Sequence, residues 1–164
     1  MAVLAAPKHA QLKAGMWLKV PVGDDGRGVV FVARVWKPAR RVGTALGYFF
    51  ARSFAATVDE CRSAHSLSDA DRVTVFYGMD SDFKRWGIIG TEENPIADEV
   101  ADPLFYDALR REVVVLADDV YQSKIPRGPV PTGRTASEFP RTGQESAIFV
   151  AAMLEKIDRE FRAQ

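Results

Sequence analysis

The sequence predicts an α+β fold: a curled antiparallel sheet, or an open barrel, of about six strands with a C-terminal amphipathic helix packed on it. Several short apolar segments with strand periodicity lie between residues 16 and 116, and the clearest helical spacing lies near the C-terminus. The turns between the first three segments are too short for a parallel crossover. Strands do not alternate with helices, which excludes a doubly wound sheet. A chain of 164 residues fits a single domain, 1–164.

The first three predicted strands form an antiparallel meander after a loose N-terminal arm at residues 1–14. In residues 16–22, apolar positions alternate with other residues, which is typical of a half-buried strand. Residues 29–36 are apolar on both faces over most of their length, so this second strand should be central and well covered. Residues 37–43 break the pattern, and the aromatic-rich segment 46–54 predicts the third strand.

The middle of the chain predicts three more strands. Runs of β-branched, aromatic and aliphatic residues at 73–77, 86–91 and 112–116 indicate them. The polar segment 58–71 has room for one short helix, and residues 92–103 form an acidic loop interrupted by prolines. These strands complete a sheet of about six.

The C-terminal helix is predicted over residues 144–163. Six apolar residues recur there at helical spacing: Ala147, Val150, Ala151, Leu154, Ile157 and Phe161. Thr142 and Glu145 have the spacing of a capping box, which would begin the helix. Residues 125–143 contain four prolines and three glycines and therefore predict a long irregular connection before the helix.

The overall composition indicates a soluble protein of the cytoplasm. It is 47% hydrophobic and 27% charged, and no apolar run approaches the ~20 residues that cross a bilayer. The N-terminal segment lacks the basic region and long apolar stretch of an export signal. The single cysteine, Cys61, cannot form an internal disulfide, which fits a reducing compartment.

The charge is zero overall but unevenly distributed along the chain. Residues 1–62 hold ten basic and four acidic side chains, a net +6, whereas residues 63–119 hold five basic and thirteen acidic side chains, a net −8. Residues 120–164 carry a net +2, from seven basic and five acidic side chains. The acidic block could form a surface for a basic partner, or the blocks could interleave in space and cancel.

The glycine-rich segment 23–28 is predicted to be a hairpin turn. A dinucleotide or phosphate loop needs a helix after its glycines, but Gly28 is followed by a strand pattern. No Gly-Lys-Ser/Thr sequence follows, and a calcium loop of EF-hand type would need a downstream Glu and flanking helices. Asp24, Asp25 and Gly26 all tolerate turn geometry.

Catalytic, metal and cofactor sites are not predicted. Cys61 and His65 stand four residues apart, which on a helix would allow a nucleophile and its base, but no orienting third group or oxyanion hole is evident. His9 and His65 are the only histidines, and no zinc-type spacing exists. Asp80, Asp82, Glu92 and Glu93 could form a carboxylate-only metal site, although a solvated acidic loop explains them more simply.

An alternative function is a nucleic-acid or ligand-binding module that uses a basic, aromatic strand face. Single-strand binders combine a basic groove with stacking aromatic side chains. The candidates in the basic N-terminal third are Trp17, Trp36, Tyr48, Phe49 and Phe50. Because they lie mostly within apolar strands, packing in a core accounts for them more simply.

Three segments resemble the immunity protein 26 family of bacterial polymorphic-toxin systems: KAGMWLKVPVGDDGRGVVFVARVW, LGYFFARSF and FKRWGIIGTEENP. The positions that match the family pattern are Gly15, Pro21, Gly26, Arg34, the aromatic strand 48–50 and the Trp-aliphatic-Gly segment 86–90. The resemblance covers roughly residues 13–118, leaving the proline-rich connection and the last helix outside it.

The resemblance implies a non-catalytic cytoplasmic protein that neutralises a cognate toxin by stoichiometric binding. Many toxins of such systems are basic nucleases, which an acidic surface would complement. The predicted partner-binding residues are six carboxylates and two aromatic anchors: Asp80, Asp82, Glu92, Glu93, Asp98, Glu99, Phe83 and Trp86.

Overall fold

A computed structural model describes residues 3–24, 26–119 and 121–164. In chain order its elements are β1 (Met16–Val20), β2 (Gly28–Ala39), β3 (Val42–Phe50), α1 (Val58–Ala64), β4 (Arg72–Gly78), β5 (Gly87–Thr91), α2 (Asp98–Ala101), β6 (Phe105–Asp107), β7 (Glu112–Leu116), β8 (Lys124–Pro126), β9 (Gln144–Ser146) and α3 (Ala147–Arg162). Within these residues, none of the helices combines the length and hydropathy needed to cross a bilayer.

The strands of the described residues form two sheets. The main sheet has six strands in the order β5-β1-β2-β3-β4-β9, antiparallel except for the pair β4 and β9. A smaller antiparallel sheet has the order β6-β7-β8. The predicted α+β class is confirmed, with an open main sheet and α3 packed on it.

The glycine-rich segment is a hairpin turn, as predicted. Val20 at the end of β1 pairs with Gly28 at the start of β2. Gly23 and Gly26 lie between them with φ of 60° and 58°, a left-handed conformation that glycine adopts without a steric cost. Asp25, the middle residue of the predicted turn, lies outside the described residues. No helix follows the glycines, so the segment does not have the geometry of a phosphate loop.

The second strand is central and covered on both faces, as its apolar sequence predicts. Val29 to Ala33 are all buried, between β1 on one side and β3 on the other. The strand runs further than predicted, to Ala39, because Arg40 and Arg41 both adopt positive φ and turn the chain in two residues. The third strand accordingly begins at Val42, earlier than predicted, and ends at Phe50.

Each face of the main sheet has its own core. We call the face under α3 the helix face; its buried side chains include Val30, Val32, Phe49, Phe76 and, from α3, Leu154. The opposite face, which we call the second-sheet face, includes Trp17, Phe31, Tyr48 and Val75 and is covered by Cys61 of α1 and by Phe105, Val114 and Leu116 of the smaller sheet. Neighbouring residues of β1 and β2 alternate between the two cores, as the period of a strand requires.

The structure separates the predicted sixth strand from the main sheet. Residues 112–116 form β7 of the smaller sheet, and the sixth strand of the main sheet is β9, which the sequence did not predict. The proline-rich connection links the two sheets: Tyr106 N donates to Pro140 O at 2.8 Å, and β9 pairs with β4 a few residues later. Most of the predicted connection, residues 125–143, is irregular as expected, but residues 125 and 126 belong to β8.

The predicted capping box of the last helix is wrong. The helix begins at Ala147, and its N-cap is Ser146, whose Oγ accepts a hydrogen bond from Phe149 N at 3.1 Å. Glu145 instead accepts a hydrogen bond from Arg72 Nε at 2.9 Å. Residues 144–146 are extended because they pair with β4, so Thr142 lies too far before the helix to cap it.

The predicted loose arm contacts the sheet at several of its described residues. Ala5 O accepts a hydrogen bond from Ile88 N of the edge strand β5 at 2.8 Å. Leu12 is buried in the core of the helix face, and residues 9–11 form a short 3-10 turn. These contacts correct the prediction for residues 5–12, whereas Val3 is 97% exposed; residues 1 and 2 lie outside the described part of the chain.

Candidate functional site

The predicted partner-binding residues divide between the two faces of the main sheet. Asp80 and Asp82 belong to the short segment that carries Phe83 onto the helix face. The segment after β5 lies on the other face, since Glu92 contacts Trp17 and the Val100 side chain joins the second-sheet core. The six carboxylates therefore do not form one surface. The division also separates Asp80 and Asp82 from Glu92 and Glu93, which a shared carboxylate metal site would require together.

The two predicted aromatic anchors are core residues. Phe83 has no exposed surface, and Trp86 is 3% exposed. Their rings pack edge to face with centroids 5.1 Å apart and contact Phe76. An anchor must be accessible to a partner, so the assignment of these two side chains as anchors is wrong.

On the helix face, Asp80 holds the N-terminal segment. Its Oδ1 accepts hydrogen bonds from His9 N at 2.7 Å and lies 2.8 Å from His9 Nδ1. The hydrogen bonds from His9 hold the pKa of Asp80 below its usual range. Asp82 accepts a hydrogen bond from Met79 N at 2.8 Å and caps its own turn. Both carboxylates thus have a structural role.

On the second-sheet face, Glu92 fixes the start of the acidic loop. Its Oε1 accepts a hydrogen bond from Trp17 Nε1 at 2.8 Å, and Arg62 Nε lies 3.6 Å away. The side chain is only 14% exposed, so Glu92 positions the loop. Glu93, Asp98 and Glu99 follow it and are exposed.

Arg34 adds two carboxylates that the sequence did not single out. Its Nη1 lies 3.2 Å from Asp102 Oδ1, and its Nη2 lies 2.5 Å from Asp118 Oδ1. Arg34 is 16% exposed, whereas Asp102 is 48% and Asp118 is 91% exposed. The guanidinium therefore holds together two loops whose carboxylates remain largely in solvent. Only the acidic balance of residues 63–119 could have indicated Asp102 and Asp118 in advance.

We call the resulting surface the acidic face and define it by five exposed carboxylates: Glu93, Asp98, Glu99, Asp102 and Asp118. Tyr48 Oη donates a hydrogen bond to Val100 O at 2.8 Å and fixes α2 on the sheet. Burial raises the pKa of Tyr48 to about 12. A groove of about 640 Å³ lies between the 94–102 segment and Asp118, with Arg34 among its lining residues.

Cys61 lies in the middle of α1 and His65 is its C-cap, but the two do not form a reactive pair. Cys61 is fully buried, and burial raises the pKa of its thiol to about 11, which disfavours the nucleophilic thiolate. The His65 ring stacks on Phe50 at a centroid distance of 4.4 Å, and its Nε2 lies 2.7 Å from Ser53 Oγ. Ser53 is buried and also accepts a hydrogen bond from Ala55 N, so its contact with His65 fixes the loop after β3.

His65 should make folding stability depend on pH in weakly acidic solution. Burial lowers its pKa below the ordinary 6.5, against the opposing effect of Asp71. A histidine with a lowered pKa in the folded state is protonated first in the unfolded state, so stability falls as the pH drops below about 6.5. Urea unfolding at a series of pH values should show this fall, and His65→Gln should reduce it.

The control for this prediction is Ser63→Gln, an exposed change on the same helix that should keep the pH dependence. Three carboxylates have a lowered pKa: Asp80, Asp107 and Asp119. The stability that they contribute to the folded protein is lost only below pH 3.8, outside the pH range in which His65 titrates. An unchanged slope in His65→Gln would contradict the assignment.

The aromatic side chains considered for nucleic-acid stacking are buried. Trp17, Trp36, Tyr48, Phe49 and Phe50 are each at most 7% exposed and belong to the core or its edge. Trp36 Nε1 donates a hydrogen bond to Ala117 O at 2.8 Å, which ties β2 to the loop after β7. This strand face therefore does not present a stacking platform.

Searches for known proteins returned no matching family model, no matching curated protein and no matching solved structure. The resemblance to the immunity protein 26 family therefore stays a prediction.

Proposed function

We propose that this chain is an immunity protein that binds and neutralises a cognate bacterial toxin by stoichiometric occlusion, without catalysis. The observation that carries the proposal is the acidic face: four exposed carboxylates on the 93–102 segment, which packs on the second-sheet core, and a fifth, Asp118, which Arg34 joins to Asp102. Such a surface is complementary to a basic toxin, for example a nuclease, and speeds association with it. The family resemblance of residues 13–118 gives the same function.

Side chains of the main sheet hold the loops of the acidic face in place, as a binding surface requires. Glu92 bonds to Trp17, Val100 O accepts the Tyr48 hydroxyl, and Arg34 joins Asp102 to Asp118. These contacts order the loops before a partner arrives, so less conformational entropy is lost on binding.

The test uses growth of a bacterial host that expresses the product of the gene adjacent to this chain's gene, which the proposal expects to be toxic. Co-expression of the wild-type chain should restore growth, and the two proteins should form a one-to-one complex in native mass spectrometry. Asp98→Lys combined with Glu99→Lys should weaken the complex at least about tenfold, because like charges then face the toxin.

The matched control is Glu155→Lys combined with Glu160→Lys, which changes the net charge equally but lies on α3, on the opposite side of the sheet. This variant should protect as well as the wild type does. Absence of both rescue and complex would refute the proposed function. Salt-sensitive retention of a single-stranded oligonucleotide without rescue would favour the nucleic-acid alternative.

A further inference from the structure

A second concave surface adjoins the acidic face. A groove of about 410 Å³ has an apolar floor formed by Tyr48, Leu67, Val73, Leu104, Phe139 and Pro140. Tyr48 and Val73 are directly paired across β3 and β4, so the groove opens over the main sheet. Tyr48 and Phe139 are largely buried, whereas the other four floor residues are half-buried. The floor is therefore both firmly packed and reachable.

The rim of this groove carries excess negative charge. Three carboxylates line it, Glu99, Asp102 and Glu138, against one guanidinium, that of Arg134. Arg134 is already engaged, because its Nε lies 3.7 Å from Glu138 Oε1 and its guanidinium stacks over Phe139 at 4.4 Å. Asp102 is paired with Arg34 at 3.2 Å, whereas Glu99 has no ion-pair partner within the described part of the chain. The uncompensated charge lies on the side that α2 forms.

We propose that this groove takes an apolar side chain of a basic segment of the partner protein, with a neighbouring lysine or arginine bound between Glu99 and Asp102. The inference rests on the proposed function, since Glu99 and Asp102 belong to both the groove and the acidic face. It adds what the carboxylates alone do not supply, an apolar contact that excludes water beside the ion pairs. Interfaces concentrate their binding energy in such enclosed apolar contacts, with charged groups at the rim.

The chemistry of the groove disfavours an acidic or purely polar occupant. An acidic segment would meet the carboxylates of Glu99 and Asp102, which costs binding free energy. A basic segment without apolar side chains would leave the apolar floor without a matching surface and would gain only the ion pairs, which contribute little when exposed.

The test uses short fluorescein-labelled peptides that can be measured without any toxin. One peptide alternates lysine with leucine and phenylalanine; a second replaces the apolar residues with serine, and a third replaces lysine with glutamate. Fluorescence anisotropy should show binding of the first peptide, with affinities for the other two at least about tenfold weaker. Amide resonances of Leu67, Val73 and Leu104 should shift on binding.

The decisive variant is Ser68→Trp, because Ser68 is exposed and lines the groove, so an indole there should fill it without disturbing the core. We expect this variant to lose binding of the first peptide at least about tenfold. The matched control is Ser63→Trp, since Ser63 is also exposed and lines a separate groove near His65. Its affinity should equal that of the wild type.

Equal binding of the lysine–serine peptide, or full binding by Ser68→Trp, would overturn the inference. So would a wild-type dimer that Ser68→Trp dissociates, since the groove would then be filled by a second copy of the chain. Growth rescue that survives Ser68→Trp would retain the proposed function while removing the groove from it. Peptide binding without any growth rescue would retain the groove as a binding site and refute the proposed function. Failure of the groove inference and failure of the proposed function therefore give different results.

Discussion

Replacing Phe76 with alanine should lower the free energy of unfolding by about 3–5 kcal/mol, the range for truncating a fully buried phenylalanine. Phe76 has no exposed surface and lies in the core of the helix face. Its ring contacts Phe49 edge to face at 5.3 Å and stacks with Trp86 at 5.8 Å. Alanine would remove both contacts and leave a cavity that the rigid sheet beneath cannot close.

Urea unfolding followed by tryptophan fluorescence measures this loss, since Trp86 lies in the same cluster. The matched control is Phe54→Ala, because Phe54 is 78% exposed and its ring lies 4.9 Å from the Arg27 guanidinium carbon. That change should cost less than about 1 kcal/mol. Similar costs for the two variants would contradict the packing described for the helix face.

The sequence predicts the local elements of this fold well because their signals are local. The alternation in β1, the apolar run of β2 and the helical spacing before residue 163 each lie within one segment. The hairpin after Val20 is predicted for the same reason, since the sequence itself shows the glycines, which adopt positive φ in the structure.

The candidate site could be predicted only in part because it depends on contacts between distant residues. Arg34 joins Asp102 and Asp118 across 68 and 84 positions of sequence. The burial of Phe83 depends on how its segment crosses the helix face, which the segment's own pattern does not indicate. The acidic balance of the middle block singled out this region but could not show that its carboxylates lie on two faces of the sheet.

The same distinction explains the two errors near the last helix. The pairing of β9 with β4 spans about seventy residues and involves only three residues of β9, too few for a periodic signal. Because that pairing keeps residues 144–146 extended, the cap moves from Thr142 to Ser146. A missed long-range contact thus produced the wrong local assignment.

The prediction for Leu154 tests whether the last helix is part of the core. Leu154→Ala should cost about 2–5 kcal/mol, because the side chain has no exposed surface and packs in the core of the helix face. The helix itself should hardly be affected, since alanine favours helix slightly more than leucine does. The loss therefore measures docking of α3 on the sheet, and urea unfolding of the intact chain reports it.

Ile148→Ala is the matched control on the same helix. Ile148 is 63% exposed, so truncation removes little buried surface, and alanine's helix propensity offsets part of that small loss. We expect a change within about 0.5 kcal/mol. If Leu154→Ala lowered the free energy of unfolding no more than Ile148→Ala does, α3 would not be docked on the sheet. The helix face, including Phe76 and Trp86, would then be accessible to a partner. A large difference between the two variants would show that α3 is docked on the sheet and covers the helix face.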